Sequence, residues 1–299
     1  MSTEQETHMN RLFVLMQYLL PQHALSRIVH WAARVRAVWF KNALIRSFVR
    51  AYRVGMSDAE QTEPTAYENF NAFFTRALRP DARPLPASPA EIACPVDGSV
   101  SISGMVRDGE LIQAKDRRYR LPELLGDDPM AREFEDGFFI TLYLAPYNYH
   151  RIHMPASGRL TDLRYIPGRL FSVNAATVRS VPRLFARNER VVCRFETPDG
   201  PMVMVLVGAL NVGSIETVWA GEVAPGRPRR PSVATYRDGV TLTRGQEMGR
   251  FNMGSTVILA FPPGRAVLSG TLLPGRSVRM GETLGRWSPS ADQPPSAAT

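Results

Sequence analysis

The N-terminal part of the chain, residues 7–57, contains no aspartate or glutamate, although basic residues are frequent there. Apolar residues recur at intervals of three and four with basic residues between them, and this spacing predicts amphipathic helices interrupted near Pro21. The basic residues are Arg11, Arg27, Arg34, Arg36, Lys41, Arg46, Arg50 and Arg53. The fold must therefore begin with helices that carry an apolar face and a cationic face.

These helices allow two interpretations. A basic amphipathic helix with tryptophans, here Trp31 and Trp39, is typical of a membrane interface. Alternatively, the apolar face packs on the rest of the protein as a cap, and the basic residues are merely solvated. We favour the membrane interpretation because acidic residues are absent. The two are compatible if different faces serve each purpose.

From about Ile92 the pattern changes to short runs rich in β-branched and aromatic residues, which predict β-strands. Such runs occupy residues 138–144, 191–195, 202–207, 214–219 and 256–261. Asp-Gly pairs at 97–98, 108–109, 199–200 and 238–239 are turn signals. The expected fold class is α+β, with basic amphipathic N-terminal helices followed by a mainly antiparallel β-rich catalytic body.

The same patterns divide the chain into three regions. We expect a helical membrane-association segment over residues 1–58 and a β-rich catalytic domain over residues 59–286. The tail, residues 287–299, is rich in proline, serine and alanine, and we expect it to be disordered.

Composition limits the partners and the compartment. The net charge of +8 indicates an anionic partner, either nucleic acid or an acidic membrane surface, and no nucleic-acid motif is recognisable. Cys94 and Cys193 have neither metal nor redox spacing, so we expect two buried thiols in a reducing compartment. No secretory signal is apparent and no run reaches the roughly 18–20 apolar residues of a membrane span. We expect a peripheral protein.

The bond between Gly254 and Ser255, just before an apolar strand, is a candidate for self-cleavage. Glycine lets another group approach its carbonyl closely, and the Ser255 hydroxyl can attack that carbonyl if a base removes its proton. Gly-Ser is also a common turn. The interpretation therefore depends on a base and an orienting acid elsewhere in the chain.

His150 and His153 are the candidate bases, and their spacing has three interpretations. They can be zinc ligands, although no third cluster of His or Cys accompanies them. They can be structural, with each ring hydrogen-bonded in a half-buried loop. Or one imidazole is a general base and the other an acid or base for a second step.

Asp97 is the candidate orienting acid. Asp97-Gly98 can be a plain hairpin turn, or the carboxylate can orient an imidazole and complete a Ser-His-Asp relation. Spacing along the chain does not decide between these, because the partners of a triad meet only in the fold.

Taken together, these motifs resemble the phosphatidylserine decarboxylase family. The chain carries Val96-Asp97-Gly98, then Tyr-His-Arg-Ile-His-Met-Pro at 149–155, then Gly254-Ser255-Thr256, in that order. Intervening segments also resemble the bacterial members, at residues 113–115, 167–174, 184–190, 207–219 and 245–251. Met253 stands where the family usually has leucine, a swap of similar volume that should be tolerated.

The resemblance implies a proenzyme that matures by cutting itself. His153, held by Asp97, would deprotonate Ser255, whose hydroxyl attacks the carbonyl of Gly254. Elimination and hydrolysis would then release ammonia and convert residue 255 into a covalent pyruvoyl cofactor. The products would be a large chain, residues 1–254, and a small chain, residues 255–299. The resemblance requires no metal.

The resemblance also implies a reaction and a location. The pyruvoyl group would form a Schiff base with the serine amine of phosphatidylserine and act as the electron sink while carbon dioxide leaves. His150 would be the proton donor that completes phosphatidylethanolamine. The enzyme would lie on the cytoplasmic face of the membrane, where its substrate is, and a homodimer is a further partner to consider.

Two rivals remain at this stage. A serine hydrolase would use Asp97, His153 and Ser255 on an external ester or peptide, without chain cleavage, but a Gly-x-Ser-x-Gly elbow is absent. A non-enzymatic module would bind membrane or nucleic acid, with both histidines structural. The abundance of predicted strands weighs against the second rival.

Overall fold

The computed structural model describes residues 13–114, 117–210, 214–224, 228–252 and 255–288. The α-helices are α1 (residues 13–19), α2 (Gln22–Ala33), α3 (Val38–Tyr52), α4 (Phe70–Phe74), α5 (Leu121–Leu125), α6 (Ala175–Ser180) and α7 (Leu184–Arg187). Two 3₁₀ helices span Pro64–Ala66 and Pro129–Phe134. The predicted tail lies almost entirely outside the described residues, and so do Met253 and Gly254.

The strands make up most of the remaining structure. They are β1 (Glu91–Ala93), β2 (Gly98–Met105), β3 (Glu110–Ala114), β4 (Arg117–Arg120), β5 (Phe138–Leu144), β6 (Arg151–His153), β7 (Gly158–Ile166), β8 (Arg190–Thr197), β9 (Gly200–Gly208), β10 (Ile215–Thr217), β11 (Gly221–Glu222), β12 (Ser232–Leu242), β13 (Glu247–Phe251), β14 (Ser255–Phe261), β15 (Ala266–Leu268), β16 (Ser277–Val278) and β17 (Thr283–Trp287).

An eight-stranded sheet forms the centre, in the order β12-β7-β8-β9-β14-β5-β2-β16. Smaller sheets have the orders β11-β10-β13-β6, β1-β17-β15 and β3-β4. The strand pairs within all four sheets are antiparallel. The α+β class with a mainly antiparallel body is confirmed. The predicted region boundaries stay predictions.

Strand β14 lies inside the central sheet and is buried along its whole length. Side chains alternate between the two faces of a strand, so Val257 and Leu259 enter one core and Ile258 and Ala260 enter the other. The same alternation places Ser255 on the face of Val257. The sequence run at 256–261 is apolar throughout because both faces of this strand are covered.

Two of the four Asp-Gly pairs behave differently from the turn prediction. Asp199-Gly200 does form the tight connection between β8 and β9. Asp238-Gly239, in contrast, lies within β12 where the pairing with β7 shifts. Asp97-Gly98 leads into β2 rather than joining two paired strands, since β1 pairs with β17 and β2 with β5. A Cβ on Gly98 would come within 2.3 Å of the Tyr143 carbonyl oxygen, so this glycine permits close packing between strands.

The N-terminal helices have two different faces. Ile45 of α3 is buried with Phe70, Phe73 and Phe74 of α4 in a separate core cluster. Other apolar side chains of the same helices are exposed, among them Leu19, Ile28, Trp31, Val38 and Trp39. Among the described residues, no helix is long and apolar enough to cross a membrane.

Candidate active site

Ser255 is the first residue of β14 and sits between two neighbouring strands. It pairs with Leu144 at the end of β5 and with Gly208 at the end of β9. Its side chain is 1% exposed, and Oγ has no hydrogen-bond partner among the described residues. Leaving a buried hydroxyl unpaired costs about 1–3 kcal/mol. The hydroxyl is therefore free to bond to another group, such as a base that reaches it.

His153 ends β6 and is held by three hydrogen bonds. Its backbone N–H donates to the Pro95 carbonyl (2.9 Å), which ties β6 to the segment that carries Asp97. Nδ1 lies 2.8 Å from the Gly245 carbonyl oxygen and Nε2 lies 2.8 Å from the Tyr149 hydroxyl. Because a carbonyl can only accept, Nδ1 carries the proton. The Nε2 lone pair therefore accepts from the Tyr149 hydroxyl.

The protonation state of His153 suits a base. Burial lowers the pKa of the His153 imidazole, and the hydrogen bond to Gly245 and the charge of Glu247 only partly oppose that effect. The ring is therefore neutral near pH 7. With Nδ1–H fixed by a carbonyl, the basic lone pair is directed at one defined place.

Asp97 lies in the same region, but its carboxylate bonds to the guanidinium of Arg83. Arg83 donates from Nε to Oδ1 (2.9 Å) and from a terminal nitrogen to Oδ2 (2.5 Å). The Met280 backbone N–H also donates to Oδ1 (2.9 Å). This paired arrangement raises the pKa of the Arg83 guanidinium. The carboxylate is thus fixed in position by three hydrogen bonds from two residues outside the predicted triad.

The structure does not place a hydrogen bond between Asp97 and His153. The Gly245 carbonyl orients the ring, and the charge of Asp97 acts on it only by raising its pKa slightly. The role of Asp97 as the orienting acid stays a prediction. Arg83, Tyr149 and Gly245 are three contributors that sequence reasoning did not assign to the site.

A cavity of about 400 Å³ opens beside these groups. It is lined by Tyr149, His153, Arg83, Met280 and Gly245, together with Leu78, Arg79, Pro80, Pro84 and Leu85. The wall that Arg83 and Met280 form is the one that holds Asp97. His153 is therefore accessible from this cavity on its Tyr149 side.

His150 is more deeply buried than His153. Its side chain is fully buried, and its ring stacks on Phe74 at 4.0 Å with an interplanar angle of 20°. Neither ring nitrogen makes a well-formed hydrogen bond to a described residue, although the Ala145 and Pro146 carbonyls lie nearby. Burial, and next the charge of Arg76, lowers the pKa of His150 to about 3. The imidazole is neutral in this state.

The pKa of His150 predicts how stability depends on pH. Because the unfolded chain binds a proton on this residue near pH 6.5 and the folded chain does not, the free energy of unfolding should fall as the pH drops below 6.5. The slope from His150 is about half of 1.4 kcal/mol per pH unit at pH 6.5 and approaches about 1.4 kcal/mol per pH unit at lower pH. Urea unfolding of Ser255→Ala at pH 7, 6 and 5, beside Ser255→Ala/His150→Phe, measures it. If the free energy of unfolding changed with pH by the same amount in both variants, the claim that His150 is buried and neutral would be contradicted.

The two histidines do not share a common centre in the structure. His150 stacks on Phe74, whereas His153 bonds to Gly245 and Tyr149. Across the described ranges, no group of three or more His, Cys, Asp or Glu side chains is arranged to hold a metal ion. Both cysteines are buried free thiols.

Comparison with known proteins identifies close relatives. Residues 70–286 match the phosphatidylserine decarboxylase family, and residues 12–53 match a second family described as PSD. The chain is 53% identical over 277 residues to the phosphatidylserine decarboxylase proenzyme of Methylococcus capsulatus, covering 92% of this chain and 96% of that one. It is 55% identical over 255 residues to that of Alkalilimnicola ehrlichii (84% and 88%). For Pseudomonas fluorescens the identity is 50% over 285 residues (94% and 99%).

Proposed function

The chain belongs to the phosphatidylserine decarboxylase family and is a decarboxylase, and we propose that it makes phosphatidylethanolamine with a pyruvoyl group formed from its own Ser255. The observation that carries this proposal is the buried, unpartnered hydroxyl of Ser255 at the start of β14. The relatives' description as proenzymes supports a processing step.

The residues around Ser255 fit such a group. The position is fixed by strand pairing on both sides, and its face of the sheet is an apolar core. Ser255 Oγ, which has no hydrogen-bond partner among the residues that the structure describes, is available where the new carbonyl would form. A pyruvoyl carbonyl supplies the electron sink that an amino-acid decarboxylation needs and that no ordinary side chain provides.

Maturation requires a base, and His153 is the candidate. Nε2 takes the proton of Ser255 Oγ after releasing the Tyr149 hydroxyl, and Oγ bonds to the carbonyl carbon of Gly254 as the peptide C–N bond breaks. Removal of the proton on Cα of residue 255 then expels the Gly254 carboxylate and leaves dehydroalanine. Water adds, ammonia leaves, and residues 1–254 and 255–299 become separate chains.

The decarboxylation step requires a proton at the substrate carbon once carbon dioxide has left. His150 is the candidate donor because it lies beside Ala145, immediately after the residue that pairs with Ser255. The Phe74 ring covers one face of the imidazole and keeps bulk water away from it. Excluding water protects a carbanion from uncontrolled protonation.

Peripheral attachment to an anionic membrane is the second part of the proposal. Polar side chains fix α1 and α2 to the body: Gln17 Oε1 accepts from Ser172 N–H (2.7 Å), and Gln22 Oε1 accepts from Leu170 N–H (2.8 Å). Trp31 of α2 and Trp39 of α3 are exposed among basic residues. The helices thus act as a cap on one side and offer an amphipathic surface on the other.

Replacing Trp31 and Trp39 with serine should weaken binding to phosphatidylserine vesicles by roughly tenfold for each ring, because the apolar contact with the lipid is lost. Both rings are exposed (69% and 77%), so folding should be unaffected. Vesicle sedimentation measures binding, and turnover of a detergent-dispersed short-chain substrate measures the site.

The matched control is Leu273→Ser, an equally exposed apolar residue (66%) on the β-rich body. It should change neither measurement. If the tryptophan variant binds vesicles as well as the wild type, the helices are only a cap.

Product analysis tests the proposed reaction. The purified protein on phosphatidylserine vesicles should release carbon dioxide and phosphatidylethanolamine in equal amounts. A serine hydrolase using Asp97, His153 and Ser255 would instead release a fatty acid or a water-soluble headgroup fragment. Release of these fragments without carbon dioxide would refute the decarboxylase proposal.

A further inference from the structure

Arg76 is a buried cation that has no anionic partner within the described ranges. The residue lies two positions after the end of α4 and is only 4% exposed. One terminal nitrogen donates to the Tyr147 carbonyl at 3.3 Å, and Nε has no partner among the described residues. The guanidinium carbon lies 5.6 Å from the centre of the Phe73 ring. Burying an arginine with so few contacts is costly unless an anion is sometimes bound.

Asp97 is near Arg76 but does not act as its anionic partner. The charge of Asp97 acts on Arg76, but both carboxylate oxygens are engaged by Arg83. Within the described part of the chain, no ion pair includes Arg76, whereas Arg83 pairs with both Asp58 and Asp97. Burial accordingly lowers the pKa of the Arg76 guanidinium. The site keeps a positive charge without a counterion.

Arg76 is connected to the segment that pairs with Ser255 and to His150. Tyr147, its acceptor, lies in the turn that begins at Ala145, directly after Leu144, the strand partner of Ser255. The charge of Arg76 also reaches His150. Neighbouring contacts fix the segment, since Arg151 Nε donates to the Thr75 carbonyl at 2.8 Å. The guanidinium is therefore tied to the turn after β5, and the backbone next to Arg76 is tied to β6.

We propose that Arg76 binds the phosphodiester of the lipid headgroup and so positions the serine moiety at residue 255. This inference rests on the proposed function. Guanidinium groups bind phosphate oxygens through two parallel hydrogen bonds, and Nε of Arg76 is an unused donor for one of them.

The chemistry favours the phosphodiester over the substrate carboxylate. The carboxylate loses its charge as carbon dioxide leaves, so a cation bound to it would stabilise the starting state and slow the reaction. The phosphodiester keeps its charge from binding to product release. A cation bound there orients the substrate without opposing the chemical step.

Binding at Arg76 would also prepare the proton donor. The charge of Arg76 is the second cause, after burial, that keeps His150 neutral. An anion bound to Arg76 offsets this charge and raises the proton affinity of the imidazole. The substrate would then help to load His150 with the proton that it donates.

The test compares two substrates in the same detergent: short-chain phosphatidylserine and an O-acyl serine, which has the amine and the carboxylate but no phosphate. The wild type should prefer the phospholipid in kcat/KM. Arg76→Gln should lower kcat/KM for the phospholipid by roughly 10- to 150-fold and leave the O-acyl serine within about threefold. The preference therefore collapses. An unchanged preference, or an equal loss on both substrates, would overturn the proposal.

Two further variants complete the design. Arg76→Lys keeps the charge and should retain part of the preference, whereas full retention would contradict the two-bond geometry; this variant carries the test if the glutamine form fails to fold. Arg118→Gln, an exposed arginine on β4, should change neither substrate. Chain cleavage is recorded for every variant. A wild type that neither cleaves nor releases carbon dioxide refutes the proposed function, whereas a cleaved, active Arg76→Gln with wild-type preference refutes only this inference.

Discussion

Replacing His153 with alanine should leave the protein as one uncut chain without decarboxylase activity. Nε2 of His153 is the candidate base for Ser255 because Nδ1 is committed to the Gly245 carbonyl and burial keeps the ring neutral. Loss of a general base slows a reaction by roughly 10²- to 10⁴-fold. Cleavage followed over time on a denaturing gel should therefore be slower by that factor.

The matched control for this result is His23→Ala. His23 lies on α2 and bonds through Nε2 to the Gly168 carbonyl at 3.0 Å. It should cleave at the wild-type rate. Normal cleavage of His153→Ala would assign the base to another residue, and Tyr149 would be the first to examine because its hydroxyl contacts Nε2.

Replacing His150 with phenylalanine should give the opposite combination, a chain that cuts normally but barely decarboxylates. Phenylalanine preserves the stack on Phe74 and removes both ring nitrogens. The proton donor would be lost, and carbon dioxide release should fall by roughly 10²- to 10⁴-fold. Measuring cleavage and turnover on the same preparation separates the two histidines.

The two results together test whether His153 acts in chain cleavage and His150 acts in decarboxylation. An uncut His150→Phe chain would place His150 in maturation instead. A cut and fully active His150→Phe chain would mean that another group supplies the proton to the product.

Much of the β-rich body could be predicted from local pattern. The run at 138–144 matches β5 without error, and β14 begins only one residue before the predicted run. These strands are buried on both faces or alternate strictly, so short windows of sequence carry their signal. The N-terminal helices were predicted equally well, from apolar residues spaced three and four positions apart.

The contacts within the site could not be predicted in the same way. Arg83 comes from a proline-rich connection 14 positions before Asp97, and nothing in its surroundings singles it out. Arg76 could not be predicted either, because nothing in the sequence around it distinguishes it from other arginines. Gly245 acts through its carbonyl oxygen, which every residue possesses. Tyr149, in contrast, stood within the quoted motif and could have been found by asking which neighbour an imidazole four residues later would contact.

The turn at Asp97-Gly98 shows why a local signal can mislead. Asp-Gly often marks a hairpin, but here the glycine is needed because β2 approaches the Tyr143 carbonyl closely. The contact comes from β5, some 40 residues along the chain, and is set by tertiary packing. Only the assembled sheet reveals that purpose.

The intact mass of the purified wild type, recorded beside that of Ser255→Ala, tests the central claim most directly. The wild type should consist of two chains, residues 1–254 and residues 255–299. The small chain should be lighter, by one ammonia, than a chain that begins with a free serine. Ser255→Ala should be a single chain of full length. A wild type that remains uncut, or a small chain with a free serine amine, would contradict the formation of a pyruvoyl group at residue 255.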